Sequence, residues 1–95
     1  MKNEETIKQK PKSEERPDLD EKLEHFLILH NDDIHTFDFV IESLVEICKH
    51  HIEQAEQCTF IAHYKGKCDI KRGSLEELKP YKNGLTDRGL SITIK

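Results

Sequence analysis

Phe26-Leu27-Ile28-Leu29 constrains this chain more than any other stretch. In an extended strand, alternate side chains point to opposite faces, so four apolar residues in a row are apolar on both. A strand of that kind belongs in the middle of a sheet, and His25–His30 is expected to be a central strand. It is also the longest clean apolar run in the 95 residues, far short of a membrane span.

The rest of the apolar pattern lies C-terminal to it. Residues 1–24 carry six Lys/Arg and eight Asp/Glu, with Met1, Ile7 and Leu19 as almost the only apolar groups. Such a segment cannot bury enough surface to offset its ordering entropy, so 1–24 is expected to be a disordered charged extension and 25–95 the folded domain. About 70 residues is near the lower limit for a single hydrophobic core. The net charge of −4 divides evenly between the two parts, and no basic patch with interleaved aromatics occurs. Nucleic acid and membranes are therefore not expected partners.

After the strand, Asn31-Asp32-Asp33 breaks the pattern and Thr36 suits a helix N-cap, with Asp38 favourable in the first turn. Phe37, Val40/Ile41, Leu44 and Ile47/Cys48 recur at helical spacing, predicting a helix to about Lys49. A second helix is expected from Ile52, with Ala55, Cys58/Thr59 and Ala62 on its stripe and Gly66 ending it. Lys67–Lys71 alternates as a short strand, and Ser74-Leu75-Glu76-Glu77 matches a capping box opening a third helix. Pro80 and Gly84 are expected to kink or divide that helix, and Leu90–Ile94 reads as the last strand. The order β-α-α-β-α-β predicts an α+β fold, a three-stranded antiparallel sheet packed against three helices.

The chemistry-bearing residues allow several readings. Asn and Asp favour turns, so Asn31-Asp32-Asp33 reads first as a polar loop. A calcium loop is not expected, because the alternating acid register, its glycine and the closing Glu are all missing. Six histidines and three cysteines, Cys48, Cys58 and Cys68, raise zinc, yet no pair has finger-like or HExxH spacing. The odd number of cysteines on apolar positions fits reduced thiols in a cytoplasmic protein. No Ser or Cys is placed as a nucleophile, so neither an enzyme nor a cofactor is expected.

Asn31-Asp32-Asp33 after a strand, a helix with FDFVIESL, and a second helix ending in AHYKGK with His63 on it resemble the ClpS family. These adaptors hand proteins to the Clp chaperone–protease. The resemblance spans about residues 25–95 and implies recognition of N-degrons, substrates whose first residue is Leu, Phe, Tyr or Trp. It implies that Asn31, Asp33 and His63 accept from the α-amino group, with Asp32 beside them on the following backbone. An ammonium has three donors and no acceptor, so converging acceptors suit it. It further implies an apolar pocket walled by Ile34, Phe37, Val40, Thr59, Ala62 and Leu90, and a contact from Glu76 to the N-terminal domain of a Clp AAA+ unfoldase. A monomer is expected. The chain departs from the commoner family pattern in His35-Thr36 for Thr-Pro, in Phe37 for a gating Met, and in the small Thr59 and Ala62. The alternative is a modulator of the same fold that docks on a Clp ATPase without reading N-termini.

Overall fold

In the computed structural model, residues 23–95 are described. The expected charged extension lies outside them apart from Leu23 and Glu24, which are exposed. The elements run β1 (His25–His30), α1 (Phe37–Cys48), α2 (Ile52–Lys65), β2 (Lys67–Gly73), α3 (Leu75–Asp87) and β3 (Ile92–Ile94). This is the α+β order that the patterning predicts, and both strand pairings are antiparallel.

β1 is central, in the order β2-β1-β3. Leu27 and Leu29 enter the main core with Val40, Leu44, Ala55, Ala62, Ile70, Leu78, Leu85 and Ile92, while Ile28 is buried outside that cluster. Both faces of the strand are thus covered, as an uninterrupted apolar run requires. The β1–β2 register slips between Leu27, opposite Lys71, and Ile28, opposite Asp69. Ile70 is the extra residue of a bulge, and a bulge frees backbone groups from the ladder. Its carbonyl is taken up by the buried His50, whose Nε2–H donates to it at 2.7 Å.

The helices start and stop for local reasons. Thr36 Oγ1 accepts from Phe39 N at 3.1 Å and opens α1. Ser74 and Glu77 form the reciprocal capping box of α3, at 3.1 and 2.7 Å. Gly66, at φ +96°, closes α2 with its N–H on Ala62 O.

Pro80 and Gly84 do not divide α3, which runs unbroken from Leu75 to Asp87, so of the expected kink or division the division does not occur. Proline's φ is helical, and its missing N–H strips a bond only from the carbonyl of Glu76, in an exposed first turn that water reaches. Leu78 and Leu85, fully buried on either side of Pro80, hold the segment on the sheet. Gly84 is a point of close approach. A Cβ there would meet Ile47 Cγ2 at 3.1 Å, so the missing side chain lets α1 and α3 pack. The last strand is shorter than Leu90–Ile94, because Leu90 N–H bonds back to Leu85 O before the chain joins β1.

Candidate functional site

The loop 31–36 is held at both ends. Asn31 N–H donates to Gly66 O at 2.9 Å, which ties the end of β1 to the end of α2. Asp32 then folds the loop on itself. Its Oδ1 accepts from Ile34 N at 2.6 Å and from His35 N at 3.0 Å, and its Oδ2 accepts from His35 Nδ1–H. The Asp32 side chain is only 11% exposed. Burial alone would raise its carboxyl, but the amide and ring hydrogen bonds from His35 and the Ile34 amide outweigh that, and it lies below the usual carboxylate value.

His35 is fixed on its other sides as well. It stacks on Phe39, with centroids 4.9 Å apart, and rests against Gly89. Gly89 has φ +89°, and a Cβ there would stand 3.1 Å from His35 Nε2, so glycine serves both the turn and the contact. That turn brings in Leu90.

Between this loop, α1 and α2 lies a partly open cavity lined by Leu29, His30, Asn31, Asp32, His35, Phe37, Val40, Thr59, Ala62, His63 and Leu90. It spans about 320 Å³ between its walls with its mouth included, but only about 20 Å³ admits the centre of a water molecule. The space is narrow, and a ligand ring enters only if a wall moves. The floor is apolar. Val40, Ala62 and Leu90 are buried, and the Thr59 hydroxyl is satisfied by Ala55 O at 2.8 Å within its own helix. Phe37 packs edge-on against both His63, at 5.0 Å, and Phe60, at 5.1 Å.

Eight of the sequence-predicted residues therefore meet at one cavity: Asn31, Asp32, Phe37, Val40, Thr59, Ala62, His63 and Leu90. Asn31 and His63 are exposed, and among the described residues their side chains have no hydrogen-bond partner. Asp33 is likewise exposed and without a partner there, on the same loop but outside the lining. Ile34, expected in the wall, is 87% exposed and not part of the lining, because the Asp32 turn captures its amide and leaves its side chain to solvent. Glu76 is exposed in the first turn of α3, away from the cavity. His35, His30 and Leu29 line the cavity without having been singled out from sequence. For His35 a signal existed, an Asp-x-x-His spacing just ahead of a helix cap.

Among the described residues there is no group of three or more His, Cys, Asp or Glu placed to hold a metal, and no helix long and apolar enough to cross a membrane. Cys48, Cys58 and Cys68 are free thiols. Burial pushes Cys48 up to about 11, and burial with a hydrogen bond to Cys58 pushes Cys68 up to about 12.

The fold has a counterpart among solved structures. The structure of Agrobacterium tumefaciens ClpS2 bound to L-phenylalaninamide matches with a TM-score of 0.74 at 20% identity, covering 79% of this chain and 96% of that one. At such an identity the match speaks for the fold. The family model described as ATP-dependent Clp protease adaptor protein ClpS matches residues 20–93, most of the chain. The chain belongs to the ClpS family of Clp protease adaptors, a family of adaptors and not of enzymes.

Proposed function

We propose that this protein is an N-degron adaptor that binds a free α-amino group together with a bulky first side chain, Leu, Phe, Tyr or Trp, and delivers the substrate to a Clp AAA+ unfoldase. The observation that carries this reading is the pairing of exposed acceptors, without partners among the described residues, with an apolar cavity. Asn31 and His63 border the narrow space floored by Val40, Ala62 and Leu90, and Asp33 stands on the adjoining loop. An ammonium held by Asn31, Asp33 and His63 gains charge-assisted hydrogen bonds while its side chain leaves water. Asp32 has a different part in this scheme. With both oxygens occupied by Ile34 and His35, it holds the loop that presents its neighbours.

ClpS2 of Agrobacterium carries L-phenylalaninamide, a free amine with an aromatic side chain, which supports the same ligand class here. Phe37 is the wall that must yield to such a ring, since its contacts to His63 and Phe60 are side-chain contacts at partly exposed positions. Glu76 is the proposed contact to the unfoldase N-terminal domain, and the extension 1–24 serves delivery. Free thiols suit a cytoplasmic monomer.

The test is a panel of labelled peptides differing only at the first residue, followed by fluorescence anisotropy. Peptides beginning with Phe, Leu, Tyr or Trp should bind. Acetyl-Phe, which has lost its charge, and Val, whose branched Cβ crowds the entrance, should not. Binding of the acetylated peptide as tightly as the free one would refute the reading.

A further inference from the structure

α2 presents a row that the cavity does not use. Glu56, Phe60 and Tyr64 are spaced i, i+4, i+8 and so share one face of the helix. All three are exposed, Phe60 by 48% and Tyr64 by 74%. Their rings lie 6.0 Å apart between centroids and within 2° of parallel. Large exposed rings at consecutive turns of one helix are unusual on a surface with no role.

The row is continuous with the cavity. Phe37, in the lining, touches Phe60, and His63, also in the lining, touches Tyr64 at 4.9 Å. One ring contact therefore separates the shelf from the mouth. An extended chain advances about 3.3 Å per residue, so a peptide that leaves the cavity past Phe37 and His63 reaches the shelf with its second residue. The shelf's charge is negative at one end. Glu56 lies one turn from Phe60, and both border a wide surface groove with Glu53, Gln54, Gln57 and His51, which contains no Lys or Arg.

We propose that Phe60, Tyr64 and Glu56 form a second subsite that reads the residue behind the first, and that it selects arginine there. The inference rests on the N-degron reading. Arginine alone among the side chains that are fully charged at neutral pH offers a flat face to stack on the rings and a charge for the carboxylate. Lysine has the charge without the plane, and an aromatic residue has the plane without the charge.

The experiment measures the full chain against labelled peptides with Phe first and Arg, Lys, Phe or Ala second, by anisotropy at low and at physiological salt. Arg over Ala should gain about two- to fivefold in affinity, the range of an exposed cation–π contact. Lys and Phe should fall between them. In Phe60→Ala and in Tyr64→Ala the Arg-to-Ala ratio should drop towards one, and Glu56→Gln should lower it with less effect in high salt. The ratio is read within each variant, so a change in cavity shape that weakens all peptides alike does not alter it. Equal binding of the Arg and Ala peptides to the wild-type protein, or an unchanged ratio in Phe60→Ala, would overturn the subsite alone. Failure of every Phe-first peptide to bind would overturn the adaptor reading, and the subsite with it.

Discussion

Asp32 and Asp33 are adjacent and chemically identical, yet within the loop Asp32 holds Ile34 and His35 while Asp33 is exposed, so on the proposed reading replacing each by Ala has a different consequence. Asp32→Ala removes one acceptor for the Ile34 amide, one for the His35 amide and one for the His35 ring. A hydrogen bond to a charged group contributes about 1.5–3 kcal/mol. The freed Ile34 amide regains water, however, so the two amides together resemble the loss of a helix N-cap, about 1–2 kcal/mol. Adding the ring contact brings the total to about 2 kcal/mol. A folded unit of this size has about 4–10 kcal/mol in all. With a urea slope near 1 kcal/mol/M, the unfolding midpoint at pH 7 should fall by about 2 M.

Asp33→Ala loses no partner among the described residues and should stay within about 0.5 kcal/mol of wild type while binding of a Phe-first peptide collapses. The carboxyl of Asp32 is lowered in the folded state, so its contribution is complete above the ordinary value of 3.8 and disappears as pH falls below it. The gap between Asp32→Ala and wild type should close over that same range. A midpoint for Asp32→Ala within about 0.3 M of wild type at pH 7, or a large stability loss in Asp33→Ala, would refute this division.

Further outcomes follow from buried groups and tight contacts. His50 is held below its ordinary 6.5 chiefly by burial, so it contributes stability above 6.5 that is lost as pH falls; urea midpoints should drop from pH 7.5 to 5, and less so in His50→Gln. Gly89→Ala should cost about 1–2 kcal/mol for the positive φ and the His35 contact, and the same change made in a His35→Ala background should cost less by the contact part alone, as read by thermal melts. With Cys48 raised to about 11 and Cys68 to about 12, iodoacetamide at pH 8 should label the native protein far more slowly than the urea-unfolded chain, followed by mass spectrometry.

The features legible in the sequence were those decided by neighbours in the chain. Phe26–Leu29 announced a central strand because strand side chains alternate whatever they pack on. Ser74 and Glu77 announced a helix start because a capping box closes within four residues. The division expected at Pro80 fails for the opposite reason, since whether a proline breaks a helix depends on what holds the two halves, here Leu78 and Leu85 in the core. The His50 ring on the Ile70 carbonyl was invisible, because it exists only once β1 and β2 have slipped by one residue at the bulge. Most of the cavity wall followed from helical spacing and family likeness, whereas Ile34 escaped from it through a turn that side-chain chemistry, not hydrophobicity, dictates.

That turn also bears on His35. A proline one position before an N-terminal helix residue stiffens a loop by removing freedom from the unfolded chain. Here the chain carries His35-Thr36 instead, and rigidity comes from contacts made in the folded state: the Asp32 pair, the Phe39 stack and the Gly89 seat. Stiffness of that origin can be lost by a single substitution or by acid, whereas a proline's cannot. The loop bearing Asn31 and Asp33 therefore loses one of its three His35 anchors when Asp32 is protonated, and any ligand grip that depends on their spacing weakens with it.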